Sequence, residues 1–393
     1  MKSSYEKLGK YIRQIDNRNV KGNKEHLLGL SVQKKFIPSI ANTIGTDFSK
    51  YKVVKYGQFT YIPDTSRRGD KIAIALQNDY DEGLVSNIYT VFEITEPNKL
   101  LPEYLMLWFN RAEFDRYARF KSHGSVREIF DWDELCNVEL PIPSYEKQNK
   151  IVREYRTISN RIALKQRIND NLEAQGIMLL KKYKEQATSR GIPWKTLTVQ
   201  ELVDKNYIEA PMDGNHGEIH PKVEDYVSSG VPFIMANNLE NGYVNYRSCA
   251  FITQTQANSL RKGFAHKGDV LLTHKGTLGR TAIVSDEYNT TILTPQVTYY
   301  RVKQYLSPYY LRYYFSTDDF QKQLESWAGA GSTRAYIGIT KQLELSIAIP
   351  DEVSMLLLNN TLRKFEIMRL NNYFEKQQLL QINTLMLSKL SRR

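Results

Sequence analysis

The chain has 393 residues, with 54 Lys and Arg against 43 Asp and Glu, a net charge of +11. At roughly 100–200 residues per domain this length holds several domains, and 41% apolar with 25% charged residues is a globular composition that excludes wholesale disorder. No apolar run reaches the roughly 18 residues of a membrane span, and the charged opening MKSSYEKLGKYIRQI lacks a signal-peptide core. Two cysteines, Cys136 and Cys249, exclude a disulfide framework and a four-thiolate zinc site. The expectation is a cytoplasmic protein of a reducing compartment, and the basic excess favours a nucleic-acid partner.

In chain order, a strand KIAIA follows Gly69-Asp70, a strand-like run YTVFEI fills 89–94, and an amphipathic helix is expected over 104–118. The segment then closes on the strand-like ELPIP ending at Pro143. Beyond it, Ile151, Tyr155, Ile158, Ile162, Leu172, Leu179 and Tyr183 keep a 4-3 spacing with polar or small steps at Lys165, Asn169 and Gly176. That spacing predicts a long helix with a coiled-coil seam, the polar steps fixing register. A second start appears at Ile192-Pro193-Trp194-Lys195, after which the series recurs. Gly268-Asp269 opens VLLT, VTYYRV fills 297–302, a helix is expected over 309–325, and LSIAIP closes at Pro350.

The recurrence has a fixed register. Leu105, Phe109 and Phe114 match Leu311, Phe315 and Phe320 at an offset of 206, and from Ser125 and Arg127 against Ser332 and Arg334 onward the offset is 207. It carries the heptad into Leu358, Leu362, Phe365, Arg369, Leu379, Met386 and Leu390, with Asn372, Lys376 and Asn383 as the polar steps. The chain is therefore a doubled unit. The expected fold is α+β: two pseudo-symmetric globular domains, 1–143 and 191–350, separated by helical regions 144–190 and 351–393 that pair as an antiparallel coiled coil. These four segments carry net charges of +2, 0, +6 and +3 respectively, so the helices hold most of the excess.

Catalytic signatures are missing from the sequence. Gly276-Thr277-Leu278-Gly279-Arg280 lacks the lysine and spacing of a phosphate loop, and Ser307-Pro308-Tyr309 reads as a helix start rather than an amino-methyltransferase box. Gly329-Ala330-Gly331 has only one glycine in its repeat counterpart and reads as a loop. His216 and His220 stand four apart in DGNHGEIHP, but glycine and proline break the segment, so no metal site is expected. The DNA-facing candidates are basic turns: Arg67, Arg68 and Lys71 in the first unit, and His274, Lys275, Thr277 and Arg280 in the second. Lys121, Ser125 and Arg127, with Ser332 and Arg334, form a loop shared by both copies. A shared arginine suits phosphate positioning better than discrimination between bases.

Two variable units, each closed by a Pro-ending strand and a long helix, resemble the specificity subunit of a type I restriction–modification system. The likeness rests on Trp194-Lys195 with Leu202, on Gly268-Asp269-Val270-Leu271-Leu272 with the HKGTLGR turn, on Pro295-Gln296, and on the two strand closures. KYGQFTYIPDTSRRGD and YDEGLVSNIYTVFEI in the first unit resemble a recurrent target-recognition-domain variant. Pro295 stands where the family more often has Asn, so Gln296 is assigned no base contact. The resemblance implies a non-catalytic subunit whose two target recognition domains read the halves of a bipartite, asymmetric site in double-stranded DNA. It implies a coiled coil that docks two modification subunits, which bind S-adenosylmethionine and methylate adenine N6. Restriction subunits using ATP and Mg would add cleavage, and no cofactor is expected on this chain. The alternative is a coiled-coil adaptor that binds only protein.

Overall fold

The structure, a computed structural model, describes residues 5–20, 22, 25–40, 45–64, 71–122, 128–328 and 335–391. The chain forms two compact units, Met1–Leu164 with Lys376–Arg393, and Lys165–Glu375. In the first, strand Tyr5–Lys7 pairs antiparallel with Glu139–Pro141, the strand of the expected closure. A four-stranded sheet runs Ile12–Ile15, Thr90–Ile94, Phe59–Tyr61, Ile74–Leu76. Phe59 and Phe92 stack on it at 4.9 Å, with Phe109 edge-on at 5.9 Å from Phe59, and all three are fully buried. Each such side chain stabilises the unit by about 1.5–3 kcal/mol through removal from water.

The second unit repeats this plan. Lys195–Thr198 pairs antiparallel with Ser346–Ile349, and the main sheet runs Met212–Asp213, Val297–Tyr300, Val270–Thr273, Thr281–Ile283, Gly242–Val244, Leu239–Glu240. A second sheet runs Ala250–Ile252, Val231–Ile234, Thr291–Leu293, Phe264–Ala265, and the first unit has its counterpart in the antiparallel pairs Phe36–Pro38 with Leu28–Leu30 and Glu82–Val85 with Lys52–Lys55, joined by a parallel bridge between Leu27 and Leu84.

The sheet order corrects one alignment made from sequence. Phe59–Tyr61, not KIAIA, lies next to the last strand of its sheet, as Val270–Thr273 does in the second unit. The counterpart of Gly268-Asp269 is therefore Gly57-Gln58, and both glycines hold positive φ, +82° and +88°, a conformation open to glycine at no steric cost. KIAIA instead matches Thr281–Ile283. The amphipathic helices are also each two helices. Pro102–Phe109 is followed by Ala112–Lys121, and Pro308–Phe315 by Asp318–Trp327. In the second pair Thr317 caps the new start by accepting from the Phe320 N–H, which ends one helix and begins the next.

The two long helices span Tyr145–Ser189 and Glu352–Lys389. Neither contains proline, Gly176 is their only glycine, and at 1.5 Å per residue they are about 68 and 57 Å long. Within the second unit they run antiparallel. Lys165 Nζ donates to Asn372 Oδ1 at 2.9 Å, Asn372 Nδ2 to Asn169 Oδ1 at 2.9 Å, and Asn169 Nδ2 to the Arg369 carbonyl at 3.0 Å. Within the first unit Asn383 Nδ2 donates to Ser159 Oγ at 3.2 Å.

The heptad positions serve the globular cores as much as the helix pair. Ile151, Tyr155 and Leu390 pack on the core of the first unit, and Leu179, Leu358, Leu362 and Phe365 on that of the second. Leu172 and Leu379 are buried, while Ile158, Ile162 and Met386 are half-buried. None of the described helices is long and apolar enough to cross a membrane.

Candidate nucleic-acid interface

Of the basic positions expected to face DNA, Arg67, Arg68, Ser125, Arg127, Ser332 and Arg334 lie outside the described residues. Lys71 is exposed, and Lys121 is half-buried with Glu134 at 3.6 Å. The second unit's turn is fully described. The Thr273 N–H donates to the Arg280 carbonyl, the Thr273 carbonyl accepts from the Gly279 N–H, and Thr273 Oγ1 accepts from the Arg280 N–H at 2.9 Å, closing the hairpin. Lys275, Thr277 and Arg280 are exposed on it.

His274 departs from its expected place. It is 1% exposed, its Nδ1 lies 2.9 Å from the Ile337 carbonyl, and its backbone exchanges hydrogen bonds with Gln296 and Ile337. Burial pushes its imidazole below the usual histidine range, so it is neutral at pH 7. The side chain anchors the turn from beneath instead of reaching outward, because it follows directly on a fully buried strand.

Lys275 and Arg280 diverge. Arg280 borders a cavity of about 750 Å³ along with Arg312, Arg369 and Glu173. Lys275 borders a smaller one of about 340 Å³ with His216, His220, Tyr226, Thr294 and Gln296. Three segments that are distant in sequence therefore meet: DGNHGEIHP, the HKGTLGR turn, and Pro295-Gln296. From sequence alone DGNHGEIHP is a poor metal site and Gln296 has no assigned base contact. Among the described residues no group of three or more His, Cys, Asp or Glu could hold a metal ion.

The DGNHGEIHP loop is held by a buried carboxylate. Asp213, 1% exposed, accepts from His216 Nε2 at 2.7 Å and from Lys262 Nζ. Burial raises its pKa, but the hydrogen bonds from Lys262 and His216 outweigh it and hold the carboxyl below the ordinary range. With Asp213 ionised, His216 Nε2 must carry the shared proton, leaving Nδ1 an acceptor in the neutral ring. Asn215 Nδ2 donates to the Lys262 carbonyl at 2.6 Å and its Oδ1 accepts from the Arg261 N–H at 3.0 Å. The signal that could have found this loop is its Asp-Gly-Asn run, a side-chain-to-backbone turn signature.

No protein-family model matches the chain. Over 136 residues, 34% of its length, the chain is 29% identical to the type I restriction enzyme HindI specificity subunit of Haemophilus influenzae, a stretch covering 28% of that relative. The type I restriction–modification system S subunit from M. genitalium aligns with a TM-score of 0.59 at 12% identity, over 99% of this chain and 96% of that one. The chain has the fold of a type I specificity subunit. The resemblance read from the doubled layout is thus borne out at the level of fold, with long helices following each Pro-ending strand in that S-subunit architecture.

Proposed function

We propose that this chain is the DNA-recognition subunit of a type I restriction–modification complex. The observation that supports this best is the doubled α+β unit, each copy closing into a long helix, in a chain that aligns end to end with an S subunit. In this reading 1–143 and 191–350 each read one half of a bipartite site, with Lys71 and Lys121 in the first unit and Lys275, Thr277 and Arg280 in the second on the DNA side. Arg67, Arg68, Ser125, Arg127, Ser332 and Arg334 belong to the same proposal. The regions 144–190 and 351–393 space the readers and dock two modification subunits that supply S-adenosylmethionine and methylate adenine N6. This chain supplies no catalysis and binds no cofactor of its own.

Two measurements test it together. The purified chain should transfer no methyl group to DNA until a modification subunit is added. Duplex binding by the complex should weaken steeply with salt, with a log–log slope of about −0.9 per phosphate neutralised. Methyl transfer by the chain alone would end the subunit reading, and a complex without salt-sensitive DNA binding would favour the protein-only adaptor.

A further inference from the structure

The 340 Å³ recess beside Lys275 is walled largely by ring side chains. Its walls include the rings of His216, His220 and Tyr226. Phe233, 1% exposed, backs two of them, with ring centroids 5.4 Å from His220 and 6.0 Å from Tyr226. Thr294 also lines the recess. It is 4% exposed, and its Oγ1 is buried with no hydrogen-bond partner among the described residues. That hydroxyl is closed to solvent with its hydrogen bond unmade, and a rotation about its Cα–Cβ bond would let a group seated in the recess satisfy it.

Gln296 is held close by. Its Oε1 lies 3.4 Å from the Ala236 N–H, a long contact that leaves the amide N–H donors for a ligand. Lys275, exposed beside the recess, offers a cation for a phosphate. Ring faces, edge-directed donors and acceptors, and a neighbouring cation together match a nucleotide rather than a groove wall. Bases within a duplex present only their edges, which protruding helices, strands and turns read. A recess with ring walls takes a base only after it has left the stack.

We propose that this recess of the second unit holds a single base turned out of the DNA duplex. The proposal rests on the DNA-recognition reading above and adds to it the form of DNA that is bound. Tyr226 and the two imidazoles would stack on the base, and Gln296 with Thr294 would bond its edge.

The test compares the full-length chain on two duplexes of the same random sequence, one fully paired and one carrying a single unpaired nucleotide. Four versions of the second duplex cover the four bases. An unpaired base has already met most of the cost of leaving the stack. At least one bulged duplex should therefore bind about tenfold tighter than the paired one. Tyr226→Ala and Gln296→Ala should bring that ratio towards one. Thr294→Val, which keeps side-chain shape and removes only the hydroxyl, should lower it too and covers the case in which Tyr226→Ala does not fold. A chain that binds paired duplex but shows no preference, or a preference that the variants leave intact, overturns the pocket while sparing DNA recognition. A chain that binds neither duplex, alone or with a modification subunit added, overturns both.

Discussion

At Gly214 a β-carbon would stand 1.9 Å from the Leu293 carbonyl oxygen and 2.5 Å from the Thr294 carbonyl carbon. The neighbouring Gly263 has a positive φ of +81° and would meet Gly214 Cα at 2.8 Å. Here the DGNH loop lies directly on the strand end, and only hydrogen fits. Gly214→Ala should destabilise the chain by about 1–3 kcal/mol, the usual cost of overpacking; an unchanged urea midpoint would show that the loop yields. His274 gives a pH dependence of known sign. Burial lowers its pKa in the folded protein below the ordinary 6.5, so the unfolded chain takes up the proton first. Its contribution is complete above 6.5 and is lost as pH falls from there towards the depressed folded value. The slope is at most about 1.4 kcal/mol per pH unit. Asp213 is also depressed, so its stabilisation is present above the ordinary 3.8 and is lost only at lower pH. Urea stability measured on either side of pH 6.5 should fall on the acid side, and His274→Gln should flatten that fall; the same fall in the variant would assign it elsewhere. Neither behaviour was legible from the sequence. A histidine and a lysine side by side in a glycine-bearing turn look alike, and only the buried strand before them sends one inward.

At the scale of elements, four charged side chains inside the second unit join its globular part to the long helices. Arg312 Nη1 lies 2.6 Å from Glu173 and 2.8 Å from Glu366, and Arg369 Nη1 lies 2.8 and 2.7 Å from the same carboxylates. Arg369 Nη2 also donates to the Asn241 carbonyl at 2.7 Å. By the repeat offsets their counterparts in the first unit are Met106, Leu380, Ser159 and Ile162, none of them charged. Breaking such a network strands a buried charge. Glu366→Gln should therefore cost about 3–5 kcal/mol of stability. Replacing all four at once with the first unit's residues, as Arg312→Met, Glu173→Leu, Glu366→Ser and Arg369→Ile, should cost less than that single change. Denaturant melts of the two variants decide it, and the reverse order would mean that the network is a net source of stability. The heptad spacing announced both helices, since 3.5-residue periodicity over several turns has few other meanings. The ionic network was not legible, because charge on a helix is expected to face water and nothing local marks an arginine as buried. The helix breaks near Asn110 and Ser316 were hidden for a related reason: the apolar pattern runs on through them.

For the molecule as a whole, the doubling predicts modular reading. Exchanging 1–143 for the same segment of another S-fold chain should alter one half of the methylated motif and leave the other unchanged; a change in both halves would rule out independent reading. The repeat was legible because its anchors, helix-packing aromatics and Pro-ending strands, hold a constant register. The strand-to-strand equivalence was not, since short strands separated by loops of unequal length match one another too easily. Lys165 and Asn372 are 207 residues apart, so each is the other's copy, and they are hydrogen-bonded, with Glu375 2.7 Å from Lys165. Where a sequence position meets its own duplicate, two identical half-length chains would bring like against like. Two copies of the first half would set lysine against lysine there, whereas two copies of the second would set asparagine against asparagine, which can pair. Divergence at this position opposes self-association of the first half, since it would set one ammonium group against its own copy where the fused chain sets it against an amide and a carboxylate.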